Sequence, residues 1–248
     1  MKMITLPHDA IYTGPLILVN RQHPVRANYL SSIRLSAMDT AVTLESTAAN
    51  LLAACLEAIG SGGKLAFVSG YRTHAEQVDL YEKSIIENGP VFTKKYVAQP
   101  GASEHETGLA IDLGLNSSVI DFIRPAFPNE GICAKFAKNA TKYGFIRRYI
   151  EEKQLHTGIA EEPWHFRYVG RPHAQIMKEL GLCLEEYIAF LKNFKYMGKH
   201  YITSDNGRSA EVFYVRAGEK ETILSMPDSG YFQISGNNDD GFIVTYWR

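Results

Sequence analysis

The sequence has no excess of positive charge: 26 Lys and Arg stand against 27 Asp and Glu, a formal net charge of -1 over 248 residues. Without a basic stripe it is not built to hold nucleic acid or an anionic membrane surface, and a small, specific substrate is the expected partner. Long apolar runs are lacking too. Near the N-terminus the run from Leu16 to Val19 is only four residues, whereas a secretory signal needs roughly 7–15 apolar residues and a membrane-spanning helix about 20. The expectation is a protein without signal or anchor, working in the cytoplasm and away from membranes. Cysteine is scarce: Cys55, Cys133 and Cys183 lie far apart, each in an apolar helical pattern. They read as reduced, buried thiols and not as a disulfide framework or a metal set.

What is present suffices for one good core, or one core plus a small appended module, since 45% of the residues are hydrophobic. The stretch ESTAANLLAACLEAIG spaces Ala48, Leu51, Leu52, Cys55 and Ile59 as a helix that stops at Gly60. KLAFVS follows as a short buried strand. YRTHAEQVDLYEKSIIENG then opens with Thr73 and Glu76, the capping-box spacing, and closes at Gly89, which puts Arg72 at a strand-to-helix junction. From Asn88 to Ser103 no periodicity persists, and the segment reads as a long loop, a type often functional. GLAIDLGL is a strand with Asp112 at its middle, and a helix capped by Gly144 leads to the strands FIRRYI and PWHFRYVG. Two helices follow, PHAQIMKELG and CLEEYIAFLKN, and from about Tyr201 the chain breaks into short strands separated by turns such as SGNNDDG. The expected organisation is a domain over 1–194 and a small β-rich module over 195–248.

Two polar stretches stand out. SEHETGLAID carries Ser103, His105, Gly108 and Asp112; EEPWHFRY carries Glu162 and His165 three residues apart. Together they supply two imidazoles, an aspartate and a further glutamate, the set a catalytic zinc site requires: three protein ligands, a fourth position for water, and a nearby base. His105, Asp112 and His165 can serve as ligands, leaving Glu162 to take a proton from the attacking water and pass it to the leaving amine. In an extended strand, residues three apart face opposite sides, so Glu162 and His165 meet only if the chain bends at Pro163.

The pattern S-x-H-x-x-G-x-A-x-D, met by Ser103, His105, Gly108, Ala110 and Asp112, followed by E-P-W-H at Glu162 to His165, resembles the zinc D-alanyl-D-alanine peptidases. That group includes the D,D-dipeptidases and D,D-carboxypeptidases of vancomycin resistance and shares its fold with lysostaphin-type peptidases and the hedgehog signalling domain. SGYRTHAEQ is similar to a further family element, with Arg72 and Gln77 in place. The resemblance covers roughly residues 65 to 170. It implies an α+β fold, a central antiparallel sheet flanked by helices with a zinc site, to which the sequence adds the small all-β C-terminal module. It implies that His105, Asp112 and His165 bind Zn2+, that Glu162 is the base, and that Arg72 holds the scissile carbonyl oxygen as it becomes an oxyanion. Ser103 and Gln77 would bind the substrate's terminal carboxylate or backbone, and Trp164 would wall the pocket.

The implied substrate is a small peptide with a free C-terminal carboxylate, free D-Ala-D-Ala or a cell-wall precursor. Two other readings stand beside it: an L,D-carboxypeptidase of the same fold, differing in pocket shape set by the segment 88–102, and a zinc-bearing binding module without catalysis. Intact Glu162 and Arg72 speak against the last, since a purely structural zinc needs neither. Nothing in the sequence sets an oligomeric state.

Overall fold

Strand β1 (Lys2–Pro7) opens the chain and pairs antiparallel with β10 (Glu221–Met226), so the first residues fold with the last. The computed structural model in which this is seen describes residues 1–248, the side chain of Asn28 excepted. Contacts gather residues 1–18 and 184–248 into one unit and residues 19–183 into the other. The sequence pattern suggests a single boundary at 194–195; helix α7 (Leu184–Leu191) and the N-terminal strand instead belong with the β-rich tail. No run of polarity marks this division, because a strand that pairs with a partner over 200 positions away leaves no local trace.

The 19–183 unit begins with α1 (Ala27–Ser32) and a short antiparallel pair, β2 (Leu35–Ala37) with β3 (Thr43–Glu45). The Glu45 side chain caps α2 (Ser46–Ala58), accepting from the backbone N–H of Thr47 at 2.9 Å and Ala48 at 3.0 Å. A carboxylate is favoured there by the orphan N–H groups and the helix dipole. The helix buries Ala48, Leu52 and Cys55. Strand β4 (Leu65–Ser69) leads into α3 (His74–Tyr96), whose first turn closes the capping box between Thr73 and Glu76.

Here the structure corrects the sequence reading. The helix does bend at Gly89, which sits at φ 79°, but it resumes at Pro90 and runs to Tyr96 within the segment taken as loop. Glycine supplies the break, and proline suits the first turn of the new helical piece, where its missing N–H costs nothing. The two residues that signal a stop also permit a restart.

Strands β5 (Ala110–Leu115), β6 (Phe145–Tyr149) and β7 (Glu162–Tyr168) complete an antiparallel sheet ordered β4-β5-β7-β6. Helices α4 (Gly131–Asn139), α5 (Gln154–Thr157) and α6 (His173–Leu180) lie between or after them. Phe136 of α4 meets Phe166 of β7 edge to face, ring centroids 4.8 Å apart, and both are fully buried. Such pairs add about 0.5–1.5 kcal/mol to the burial itself. Cys55, Cys133 and Cys183 are free and buried.

The other unit carries the remaining strands, β8 (Tyr201–Asp205), β9 (Arg208–Arg216), β11 (Tyr231–Gly236) and β12 (Gly241–Trp247), in the order β11-β12-β9-β8, all antiparallel. Asn206 and Gly207 join β8 to β9 with φ of 51° and 78°, the primed turn that matches strand twist. Phe213, Val215, Phe242 and Val244 form its core with Leu224 and Met226. Among the described residues no helix is long and apolar enough to cross a membrane.

Candidate active site

The antiparallel register of the 19–183 sheet brings distant polar residues into one row. Ser69 of β4 is opposite Asp112 of β5, and Asp112 is opposite His165 of β7. His105 arrives from outside the sheet, on a 3-10 turn over Glu104–Thr107 that Gly108 ends in the left-handed region at φ 67°. A Cβ at Gly108 would sit 2.9 Å from the backbone nitrogen of Glu45, so this position admits only glycine without movement.

His105, Asp112 and His165 each present a ligand atom within 4.8 Å of the others, and all three are buried. His105 Nε2 lies 3.2 Å from Asp112 Oδ2, and His165 Nδ1 lies 2.9 Å from Asp112 Oδ1. The two imidazoles meet edge to face at 5.0 Å. Two imidazole nitrogens and one carboxylate, this close and sheltered from water, are the donor set of a catalytic zinc.

Each imidazole is held from behind. His105 Nδ1 donates to the Gly70 carbonyl at 2.7 Å, which leaves Nε2 to face Asp112. His165 Nε2 lies 3.3 Å from Glu104 Oε2, which leaves Nδ1 to face Asp112. Glu104 in turn accepts from Arg148 Nε at 2.9 Å and Arg167 Nη1 at 2.7 Å, with all three side chains shut off from solvent. A carboxylate behind a histidine ligand fixes its ring and strengthens it as a donor.

Glu162 reaches the same point. The ladder between β6 and β7 slips between Arg147 and Tyr149: Phe166 faces Arg147, yet Glu162, four residues earlier, faces Tyr149, two residues on. β7 thus carries two more residues than β6 between these pairs, a bulge that falls between Glu162 and Phe166. Glu162 Oε2 comes to 3.7 Å from His165 Nδ1.

Burial dominates the electrostatics. It pushes the Glu162 carboxyl up to about 8, because the ionised form loses its water. The Asp112 carboxyl is equally buried, but the His105 and His165 imidazoles overcome that penalty and hold it well below the usual carboxylate range. Burial opposes charge on His165, yet hydrogen bonds to Asp112 and Glu104 outweigh it and lift the ring to about 10. On His105 burial wins and the ring is lowered. Two carboxylates that both face His165 Nδ1 are thus pushed in opposite directions, Asp112 towards ligand and Glu162 towards proton carrier.

Arg72 is anchored on both sides. Its Nη2 donates to Ser69 Oγ at 2.7 Å and its Nη1 to Gln77 Oε1 at 2.5 Å, while Gln77 Nε2 donates to the Ala98 carbonyl at 2.7 Å. Arg72, Gln77, Ser103 and Trp164 all line the same pocket as the histidines, Asp112 and Glu162. The structure also brings Ser69, Gly70, Glu104, Tyr149 and Phe122 here; Ser69 and Gly70 open the SGYRTHAEQ element, though the resemblance gives them no role, and nothing in the residue pattern singles out Tyr149 or Phe122. Tyr149 packs its ring 4.9 Å from His165, and the Arg72 guanidinium lies 5.9 Å from the Phe122 ring. Glu104 has one signal, an acidic residue beside the histidine in SEHE; its buried arginine partners have none.

Residues 41–171 match the family model VanY: D-alanyl-D-alanine carboxypeptidase. The chain belongs to the VanY family. That matched span holds every ligand candidate, Glu162, Arg72 and the Glu104 network. Among VanY-type relatives, the chain is 42% identical to the bifunctional D-Ala-D-Ala dipeptidase and D-Ala-D-Ala carboxypeptidase VanXYC of Enterococcus gallinarum, over 71% of this chain and 94% of that one. Its fold is similar to the crystal structure of the vancomycin resistance D,D-dipeptidase VanXYg in complex with a D-Ala-D-Ala phosphinate analog: TM-score 0.96 and 46% identity over 100% and 99% of the two chains. A VanY D,D-pentapeptidase from a VanB-type resistance cassette, a point mutant solved in complex with Zn(II), matches 70% of this chain and 98% of its own, at 33% identity and TM-score 0.61.

Proposed function

We propose that this chain is a zinc D,D-peptidase that hydrolyses free D-Ala-D-Ala and removes the terminal D-Ala from wall-precursor pentapeptides, contributing to vancomycin resistance. The observation that carries the reading is the buried His105–Asp112–His165 triangle with Glu162 3.7 Å from one of its imidazoles. Similarity across the whole chain to a D,D-dipeptidase bound to a D-Ala-D-Ala phosphinate analog supports the substrate class.

His105 Nε2, an Asp112 carboxylate oxygen and His165 Nδ1 would hold the zinc, each steadied by the contacts behind it. When bound, zinc supplies Lewis acidity, activating a water and polarising the scissile carbonyl. Glu162 takes the water's proton as its oxygen attacks the carbonyl carbon, then delivers that proton to the leaving nitrogen as the peptide bond breaks. Burial raises the Glu162 carboxyl above its ordinary value, which makes it a stronger proton acceptor than an exposed carboxylate. The Arg72 guanidinium, pinned by Ser69 and Gln77, offers its charge to the oxygen as it becomes anionic. Ser103 and Gln77 hold the terminal carboxylate and backbone, and Trp164 closes the wall beside Glu162.

We place this activity in the cytoplasm, acting on soluble pools; three buried free thiols fit a reducing compartment. The test is release of D-Ala by the zinc-loaded protein from D-Ala-D-Ala and from a pentapeptide ending in D-Ala-D-Ala. Failure on both substrates removes the proposal.

A further inference from the structure

A second cleft adjoins the site. It is open to solvent and shares Val97, Ala98, Tyr149 and Ile159 with the pocket that holds Glu162 and the histidines. Its lining mixes apolar and polar residues: Asn20, Arg21, Gln22, Gln99 and His156 contribute beside Val19 and Leu155, and no aspartate or glutamate does. Arg21 is exposed and makes no ion pair among the described residues.

We infer that this cleft is the subsite for the part of a longer peptide upstream of the scissile bond, and that Arg21 receives an anionic group carried there. The inference rests on the D,D-peptidase reading. A substrate whose C-terminus is a free carboxylate ends at the scissile pocket on that side, so a longer substrate extends only from its N-terminal side. It needs a continuous wall along which to run, and Val97, Ala98, Tyr149 and Ile159 provide one between the two spaces. The side-chain amide of Gln99 and the Nδ2 of Asn20, whose Oδ1 is held by Gln22 and His23, suit a peptide backbone, which presents both donors and acceptors. With an arginine at the rim and no carboxylate to compete for it, the cleft favours anions. The dipeptide D-Ala-D-Ala is too short to use this cleft, so its hydrolysis is independent of Arg21.

Arg21→Glu separates these substrates without touching a group of the chemistry. Four are compared: D-Ala-D-Ala; a pentapeptide ending in D-Ala-D-Ala with one upstream glutamate carboxylate; the same peptide with that carboxylate amidated; and the amidated peptide linked to a nucleoside diphosphate. The acidic pentapeptide should show KM raised about fivefold at unchanged kcat, the size of an exposed charge pair, while the dipeptide and the amidated peptide change less than about twofold. A rise for the nucleotide-linked peptide alone assigns the anion as phosphate and keeps the subsite. Equal effects on all four substrates, or none on any, overturn the inference.

Should the wild-type protein cleave none of the four, the D,D-peptidase reading fails separately. The subsite is then read by calorimetric binding of the acidic stem peptide lacking D-Ala-D-Ala, with the nucleoside diphosphate alone as a second probe. Weaker binding of either to Arg21→Glu than to wild type retains the subsite, and equal or undetectable binding of both rejects it.

Discussion

Glu162 and Asp112 are both buried carboxylates, yet only Asp112 has two imidazoles against it, and that difference assigns their work. Glu162→Gln keeps the shape and removes the proton acceptor. It should retain zinc at wild-type stoichiometry by metal analysis while kcat falls by about 10²-fold or more, within the range of general-base losses. Arg72→Ala should lower kcat by about 10²–10³-fold with a smaller change in KM, because its charge strengthens binding only as the oxyanion forms. Arg72→Lys should recover little, since one ammonium cannot bridge Ser69 and Gln77 as the planar fork does. Glu104 sits one step back, and its removal leaves Arg148 and Arg167 buried without their carboxylate. Glu104→Gln should cost about 3–5 kcal/mol in denaturant unfolding. Its carboxyl is also buried, but the two guanidinium groups hold it below its ordinary value of 4.5. A depressed acid contributes stability above its unfolded-state value and loses it as pH falls towards the folded one. Wild-type stability should therefore decline below about pH 4.5 more steeply than that of Glu104→Gln.

At the scale of elements, the sheet register aligns Ser69, Asp112 and His165, and the bulge in β7 turns Glu162 towards them. The strands carrying Asp112 and His165, the capping box at Thr73 and the stop at Gly144 were legible in the sequence, because each leaves a local mark: alternation, a cap spacing, a glycine. The continuation of α3 past Gly89 was not, since Gly-Pro reads as an end unless the next turn has something to pack on. The Arg148 and Arg167 partners of Glu104 were illegible for another reason: alternating strand positions put arginines inward, where pattern alone expects apolar side chains. The 3-10 turn carrying His105 is fixed by Gly108, in a left-handed conformation against the Glu45 backbone. Gly108→Ala should destabilise the protein by about 2 kcal/mol and weaken zinc binding about tenfold by displacing His105, whose support resembles other contacts behind metal ligands. Normal zinc affinity in a folded Gly108→Ala protein would show that the turn does not position the ligand.

For the molecule as a whole, the division of the chain places every proposed site residue in the unit spanning 19–183. A solved VanY D,D-pentapeptidase is matched over 98% of its own length by 70% of this chain, so related enzymes exist as solved chains without a counterpart to the rest. A fragment of residues 19–183 should fold cooperatively and bind one zinc; a fragment that does neither would make the β-rich unit part of the site's support. The central claim is D,D hydrolysis at a zinc held by His105, Asp112 and His165, with Glu162 as base. The most direct measurement is kcat/KM of the zinc-loaded protein for D-Ala-D-Ala, a pentapeptide ending in D-Ala-D-Ala and an L,D-linked tetrapeptide, each with Glu162→Gln as control. The account predicts cleavage of both D,D substrates, little or none of the tetrapeptide, and loss of all cleavage in the control. Cleavage confined to the L,D tetrapeptide, or undiminished in Glu162→Gln, would contradict it.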